Sequence, residues 1–182
     1  SIDNDSINVG DNATLSIELR DQNNVVLHNN FIVTVKVNGS NHTVGLVNGK
    51  GNFILSGLAN GTYIINAVFA GDDIKYVGNI SNQVTLKVNK IVTSIDVGVV
   101  SPVTYGGVAT ITVTMNPSIN DYVVLNVAGK NYTVAIVNGE GKFNASGLDV
   151  GNYLVNVTYA GDDKYNSSNN NTTSFDVIAA DL

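Results

Sequence analysis

Apolar and polar residues alternate along most of this chain. Across 109–116, ATITVTMN, an extended backbone puts Ile111, Val113 and Met115 on one side and Thr112 and Thr114 on the other. Leu15, Ile17 and Leu19 alternate in the same way with Ser16, Glu18 and Arg20. Val33, Val35 and Val37 face away from Thr34 and Lys36, and Tyr153, Val155, Val157 and Tyr159 away from Asn156 and Thr158. Successive side chains of a strand point to opposite faces, so period-two alternation marks strands with one buried face and one wet face. The richness in Val, Ile and Thr suits such a pleated surface. Turn pairs punctuate the pattern at Asn38-Gly39, Asn48-Gly49, Asn60-Gly61, Ala128-Gly129 and Asn138-Gly139. Asn-Gly reaches the positive φ that tight hairpin turns require. No longer stretch carries the helical period with caps.

The pattern is written twice. VNGSNHTVGLVNGKGNFILSGLANGTYIINAVFAGDD begins at Val37 and returns from Val127 as VAGKNYTVAIVNGEGKFNASGLDVGNYLVNVTYAGDD; 127 − 37 gives a period of 90. That is too long for a solenoid unit and suits a seven-stranded β-sandwich, typically ~100 residues. The sequence therefore predicts an all-β chain of two tandem antiparallel sandwiches, one over 1–90 and one over 91–182. Strands of the second are expected near 93–100, 108–116, 121–128, 131–137, 141–145, 151–160 and 172–179. Upstream, Gly10 matches Gly106 at a spacing of 96, so the first copy holds 96 − 90 = 6 extra residues, a loop insertion near 21–30. It also lacks a full first strand, since SIDVGVV at 94–100 has no clear counterpart ahead of Ser6. The junction VNKIVTSIDV has no Gly/Ser or Pro-rich tether, which predicts a rod of limited flexibility. GLANGTY and GLDVGNY set Tyr63 and Tyr153 at the start of the penultimate strand, after a glycine-containing corner. This resembles the tyrosine corner of Greek-key sandwiches, whose phenol bonds back to nearby backbone.

YAGDDKYNSSNNNTTSFDV, preceded by GNYLVNV, resembles the C-terminal half of the bacterial-type immunoglobulin-like repeats of group 3. More narrowly it is similar to the tandem repeats of adhesin-like surface proteins of methanogenic archaea. VTYGGVATITVT, VAGKNYTVAIVNGEGKF and SGLDVGNY fit the same pattern. The likeness covers the second copy nearly end to end and the first from Gly10 onward, with the insertion as a departure. It implies Greek-key, immunoglobulin-like sandwiches of about seven strands, and a cell-surface parent in which such repeats supply length and display.

Composition narrows the function classes. The net charge is −6, so no basic stripe exists to neutralise phosphates, and nucleic acid is not expected as a partner. No apolar run is long enough for a membrane-spanning helix. There are no cysteines, so each sandwich holds together by its core or by another cross-link. Lys36 and Lys87 read as outward, and Lys50, Lys130 and Lys142 as near turns, which argues against a Lys–Asn isopeptide bond. Sequons begin at Asn4, Asn12, Asn38, Asn41, Asn60, Asn79, Asn131, Asn144, Asn156, Asn166, Asn170 and Asn171. Asn131, Asn144, Asn156 and Asn166 are the glycosylation candidates singled out.

Catalytic chemistry is not expected. His28 lies in the insertion, His42 is replaced by Tyr132 in the other copy, and neither stands at motif spacing from a nucleophile or acid. The pairs Asp72-Asp73 and Asp162-Asp163 offer calcium too few oxygens by themselves and read as turns. No metal and no cofactor is predicted. Tyr63, Tyr153 and Tyr159 read as buried, while Tyr105, Tyr122 and Tyr132 are surface candidates. Three readings result: a non-enzymatic stalk or display segment of an extracellular, cell-surface adhesin, a module that itself binds a glycan or protein, and a filament subunit completed by a neighbour's strand. The partner expected for the first is a glycan or protein of another cell, reached through domains outside this chain.

Overall fold

A computed structural model describes residues 1–72 and 74–181. The chain divides into two compact units, Ser1–Ile91 and Val92–Leu182. In the first, the strands are β1 (Ser6–Asn8), β2 (Ala13–Glu18), β3 (Phe31–Val37), β4 (Ser40–Leu46), β5 (Lys50–Leu55), β6 (Gly61–Gly71), β7 (Val77–Ile80) and β8 (Val84–Asn89). One sheet runs β1-β8-β6-β3-β4, with β7 also on β6; the other pairs β2 with β5. In the second unit they are β9 (Ser94–Val99), β10 (Val103–Thr104), β11 (Ala109–Asn116), β12 (Asp121–Val127), β13 (Lys130–Ile136), β14 (Glu140–Ala145), β15 (Gly151–Tyr159) and β16 (Ser168–Ile178). Its sheets run β10-β16-β15-β12-β13 and β14-β11-β9. Among the described residues only the short β1 and β10 pair in parallel, on β8 and β16 respectively.

Each core collects the inward faces of its two sheets. In the second unit Ile111 and Val113 of β11 meet Val123 and Leu125 of β12, Val155 and Val157 of β15, and Phe175 of β16. In the first, Leu15 and Ile17 of β2 meet Val33 and Val35 of β3, Ile65 of β6 and Leu86 of β8. Fully burying one such side chain is worth about 1.5–3 kcal/mol. The fold is thus all-β, two tandem sandwiches, as the alternation and the period of 90 predict.

The details depart from the sequence pattern in three places. The last strand begins at Ser168 rather than at 172, because Asn169 Nδ2 bonds Asn156 Oδ1 at 2.6 Å and Thr158 Oγ1 at 2.9 Å, so a polar run joins the sheet through its side chains. The turn pairs also divide into kinds. Asn38-Gly39 and Ala128-Gly129 close true hairpins, with positive φ at both residues. Asn48-Gly49 and Asn138-Gly139 have the same backbone but close a single bridge before the chain crosses to the other sheet. Asn60 has no positive φ; the left-handed residue of that loop is Gly57, and Gly61 already starts β6.

The insertion folds on itself. Asp21 Oδ1 accepts from the N–H groups of Asn23 and Val25, both at 2.9 Å, and Arg20 bridges to Val26. It ends on the sheet-crossing turn, where Gly49 N–H donates to Asn29 O at 2.8 Å. In the second unit, which lacks the insertion, Gly139 N–H donates to Ile119 O at the same 2.8 Å.

Candidate functional site

The repeated motifs build scaffolding. Tyr63 Oη donates to Ala59 O and Tyr153 Oη to Asp149 O, each at 2.9 Å and each four residues upstream. Both rings pack on their cores but are half-buried rather than buried, because the phenol end must leave the core to reach the loop. Tyr153 stacks on Phe175 at 5.7 Å.

The Gly-Asp-Asp corners use their first carboxylate on themselves. Asp72 Oδ1 accepts the N–H groups of Lys75 and Tyr76 at 2.7 Å and of Ile74 at 3.3 Å. The bonds from Tyr76 and then Lys75 hold the Asp72 carboxyl below the usual carboxylate range, with burial opposing them. Asp162 Oδ1 accepts from Lys164 N–H at 2.7 Å and Tyr165 N–H at 2.6 Å. Asp73, the second member of the first pair, lies outside the described residues. Among the described residues no group of three or more His, Cys, Asp or Glu is placed to hold a metal ion. Among the same described residues no helix is long and apolar enough to cross a membrane.

The units differ where a site would need to be kept. Tyr159 is buried and donates to Asp121 Oδ2 at 3.0 Å; burial first, then this bond, pushes its phenol well up. The matching residues of the first unit are Phe69 and Phe31, an edge-to-face pair at 5.5 Å. His42 is exposed and lies 5.0 Å from the Phe53 ring, where the second unit has Tyr132 at 4.3 Å from Phe143. That contact leaves Tyr132 half-buried, while Tyr105 and Tyr122 stay exposed at 54% and 64%. His28 is exposed in the insertion. Glu18 bonds Arg20 and Lys50, and these cations, Arg20 first, hold its carboxyl below the usual range.

The candidate sequons are unequal. Asn131 and Asn144 are exposed, and their Oδ1 atoms accept from Asn126 Nδ2 at 2.7 Å and Thr110 Oγ1 at 2.9 Å. Asn166 is exposed in the loop before β16. Asn156 is half-buried under the Asn169 amide.

The edge of β2 is where the sequence shows no counterpart of the strand at 94–100. Ile2 bridges to Leu15, Asp3 N–H donates to Thr14 O at 3.1 Å and Ser16 N–H to Ser1 O at 2.8 Å. Past Ser16, no described strand pairs with that edge. A cavity of about 200 Å³ opens there, lined by Ile17, Ile65, Asn66, Ala67, Ser81 and Val84 among others. Asn66 Oδ1 is buried in its wall without a hydrogen-bond partner among the described residues.

No family model matches the chain, and neither does any curated protein. Solved structures do. A bacterial ice-binding adhesin of 1.5 MDa aligns over 96% of this chain at 16% identity with a TM-score of 0.41. This chain spans 60% of the length of that one. The fibronectin(III)-like modules of Clostridium thermocellum CbhA align over 98% of this chain and 93% of their own at 16% identity, TM-score 0.39. A D1–D4 ectodomain fragment of ICAM-5 aligns over 98% of this chain and 54% of its own at 12% identity, TM-score 0.40. Likeness at this level says nothing about ligand or activity.

Proposed function

We propose that these units are non-enzymatic structural repeats of a cell-surface, adhesin-like protein, of the kind whose motifs the methanogen repeats share. The observation that carries this reading is a repeated scaffold without a repeated site. The tyrosine-to-carbonyl bond, the self-capped aspartate corner and the positive-φ turns occur in both units. The side chains that would have to persist in a repeated binding site do not: Tyr159–Asp121 becomes a Phe pair, and Tyr132 becomes His42. Repeats that share only what holds them up serve best as spacers, and attachment then belongs to segments outside this chain. The wealth of Asn-x-Ser/Thr supports an extracellular place, with Asn131, Asn144 and Asn166 more open to a glycan than Asn156.

Single-molecule pulling tests the reading. A load-bearing repeat pair should give two separate unfolding events, each releasing roughly 300 Å of chain at ~3.3–3.6 Å per residue. A glycan array probed with the same chain should stay blank. Saturable binding to one glycan class would replace the spacer reading with a binding module.

A further inference from the structure

We propose that Asn41 and Asn131 are a repeated pair of N-glycosylation sites, and that the glycan at each shields the open edge of its sheet. Of all the sequons in the chain, this is the one that stands at the same place in both copies, at the period of 90. Asn and Thr are the second and fourth residues of β4 and again of β13, while the residue between them changes from His42 to Tyr132. Val44, Gly49, Tyr63 and Asp72 also recur in the second copy, and each fills the core, turns the chain or bonds backbone. Asn41, Thr43, Asn131 and Thr133 are exposed and do none of these things.

The backbone shows what a glycan there would do. β4 and β13 end their sheets. Two-residue hairpin turns join them to β3 and β12, so Val37 and Ser40 form the first hydrogen-bonded pair of one hairpin, and Val127 and Lys130 that of the other. By strand alternation the N–H and C=O groups of Asn41, Thr43, Asn131 and Thr133 then point away from the sheet, to an edge on which no described strand lies. Further along, each edge is covered where the chain crosses to the other sheet. A Cβ on Gly51 would stand 2.9 Å from Gly45 O, and one on Gly141 2.6 Å from Ala135 O. The uncovered stretch of each edge is therefore the sequon. Open edges pair with other chains unless charge, proline, a bulge or a cover prevents it. NHTVGL at 41–46 and NYTVAI at 131–136 hold no Lys, Arg, Asp, Glu or Pro, and both registers run without a bulge. A bulky, hydrophilic glycan supplies the missing cover.

The side chains are placed for it. Asn and Thr two residues apart on a strand share a face, here the outer one. Asn131 Oδ1 accepts from Asn126 Nδ2 at 2.7 Å, and Asn131 Nδ2, the atom that takes the sugar, has no partner among the described residues. Two other sequons are tied up. The Asn38 amide is held at both ends, by Ile64 N–H at 2.7 Å and Thr62 O at 3.3 Å, and Asn170 Nδ2 donates to Ile95 O at 2.8 Å. A glycan on either would cost these bonds. In the transfer, Nδ2 attacks the anomeric carbon of an oligosaccharide carried on a lipid phosphate. The N–C bond forms, the anomeric C–O bond breaks, the lipid phosphate leaves, and the amide proton passes to a base of the transferase. The proposal rests on the extracellular part of the reading above and not on the spacer role.

Glycopeptide mass spectrometry of the intact protein from its native cells, with protease shaving of those cells, tests it. Asn41 and Asn131 should carry glycans in most copies, and Asn38 and Asn170 should be bare. Bare Asn41 and Asn131 on a chain that shaving releases would overturn the proposal and leave the surface reading in place. A chain that shaving never reaches would overturn both. The shielding has its own readout. In an Asn41→Gln, Asn131→Gln double variant, amide exchange at residues 41, 43, 131 and 133 should slow at least about tenfold as protein concentration rises, and in the glycosylated protein it should not change. If the variant is not recovered, the unaltered chain made in a host without N-glycosylation gives the same comparison. Exchange that is independent of concentration in both forms would overturn the shielding role.

Discussion

Tyr159 and Asp121 in one unit and Phe69 and Phe31 in the other are two solutions to the same place in the fold. Removing only the phenol oxygen leaves a carboxylate that has lost its donor, and hydrogen bonds to charged groups are worth about 1.5–3 kcal/mol. Tyr159→Phe should therefore destabilise the second unit by roughly that amount. Adding Asp121→Phe should recover much of the loss, because it rebuilds the apolar pair of the first unit. Denaturant midpoints of the two single variants and the double form a cycle, and additive losses would sink the idea. The corner tyrosine is a smaller case. Tyr153→Phe gives up one neutral bond to a backbone carbonyl at the surface but keeps the ring on Phe175. A loss of about 1 kcal/mol is expected in chemical denaturation, and an unmoved midpoint would show that the phenol contributes nothing.

At the scale of elements, turns with one backbone form do two jobs, and glycine substitution separates them. Gly129 turns a hairpin at φ 74 with open space where a Cβ would go. Gly139 turns the sheet crossing at φ 83, and a Cβ there would stand 2.8 Å from Ser118 Oγ and 3.0 Å from its Cα. Gly129→Ala should cost only the left-handed backbone, about 1 kcal/mol, and Gly139→Ala distinctly more, since Ser118 must move. Equal losses by thermal or denaturant unfolding would mean that the crossing turn is not packed. The same distinction marks the limit of what the pattern reveals. Alternation locates strands because one face is dry, and it finds β11 and β12 to within a residue or so. It is blind to which strand pairs with which. Asn138-Gly139 looks like a hairpin, β10 is too short to alternate, and the start of β16 hides in Ser168-Asn169-Asn170. Recurrence marks Tyr63 and Tyr153, but the carbonyl each reaches depends on the path of its loop.

Across the whole molecule, aspartates at turns cap backbone N–H groups, among them Asp3, Asp21, Asp72 and Asp162, and this shapes the response to acid and to calcium. Asp72 and Asp3 are held below their ordinary value of 3.8, in both cases chiefly by backbone N–H donors, from Tyr76 and Thr14 respectively. A depressed folded pKa means that the unfolded chain takes up protons first. The stabilisation is then complete above pH ~4 and is lost as pH falls through the lowered values. Melting temperature should decline on that limb, and Asp72→Asn should flatten part of the decline. Calcium tests the same oxygens from the other side. A calcium ion needs about six to eight oxygen ligands. At the corners, one oxygen of Asp72 already serves three N–H groups and one of Asp162 serves two. A bound ion would stabilise the fold by RT ln(1 + [L]/Kd), raising the melting temperature with free calcium. We expect thermal scans with calcium at about 1 mM, the range of extracellular modules, and with excess chelator to coincide. A calcium-dependent rise that Asp162→Asn abolishes would make the corner a metal site instead of a self-capped turn.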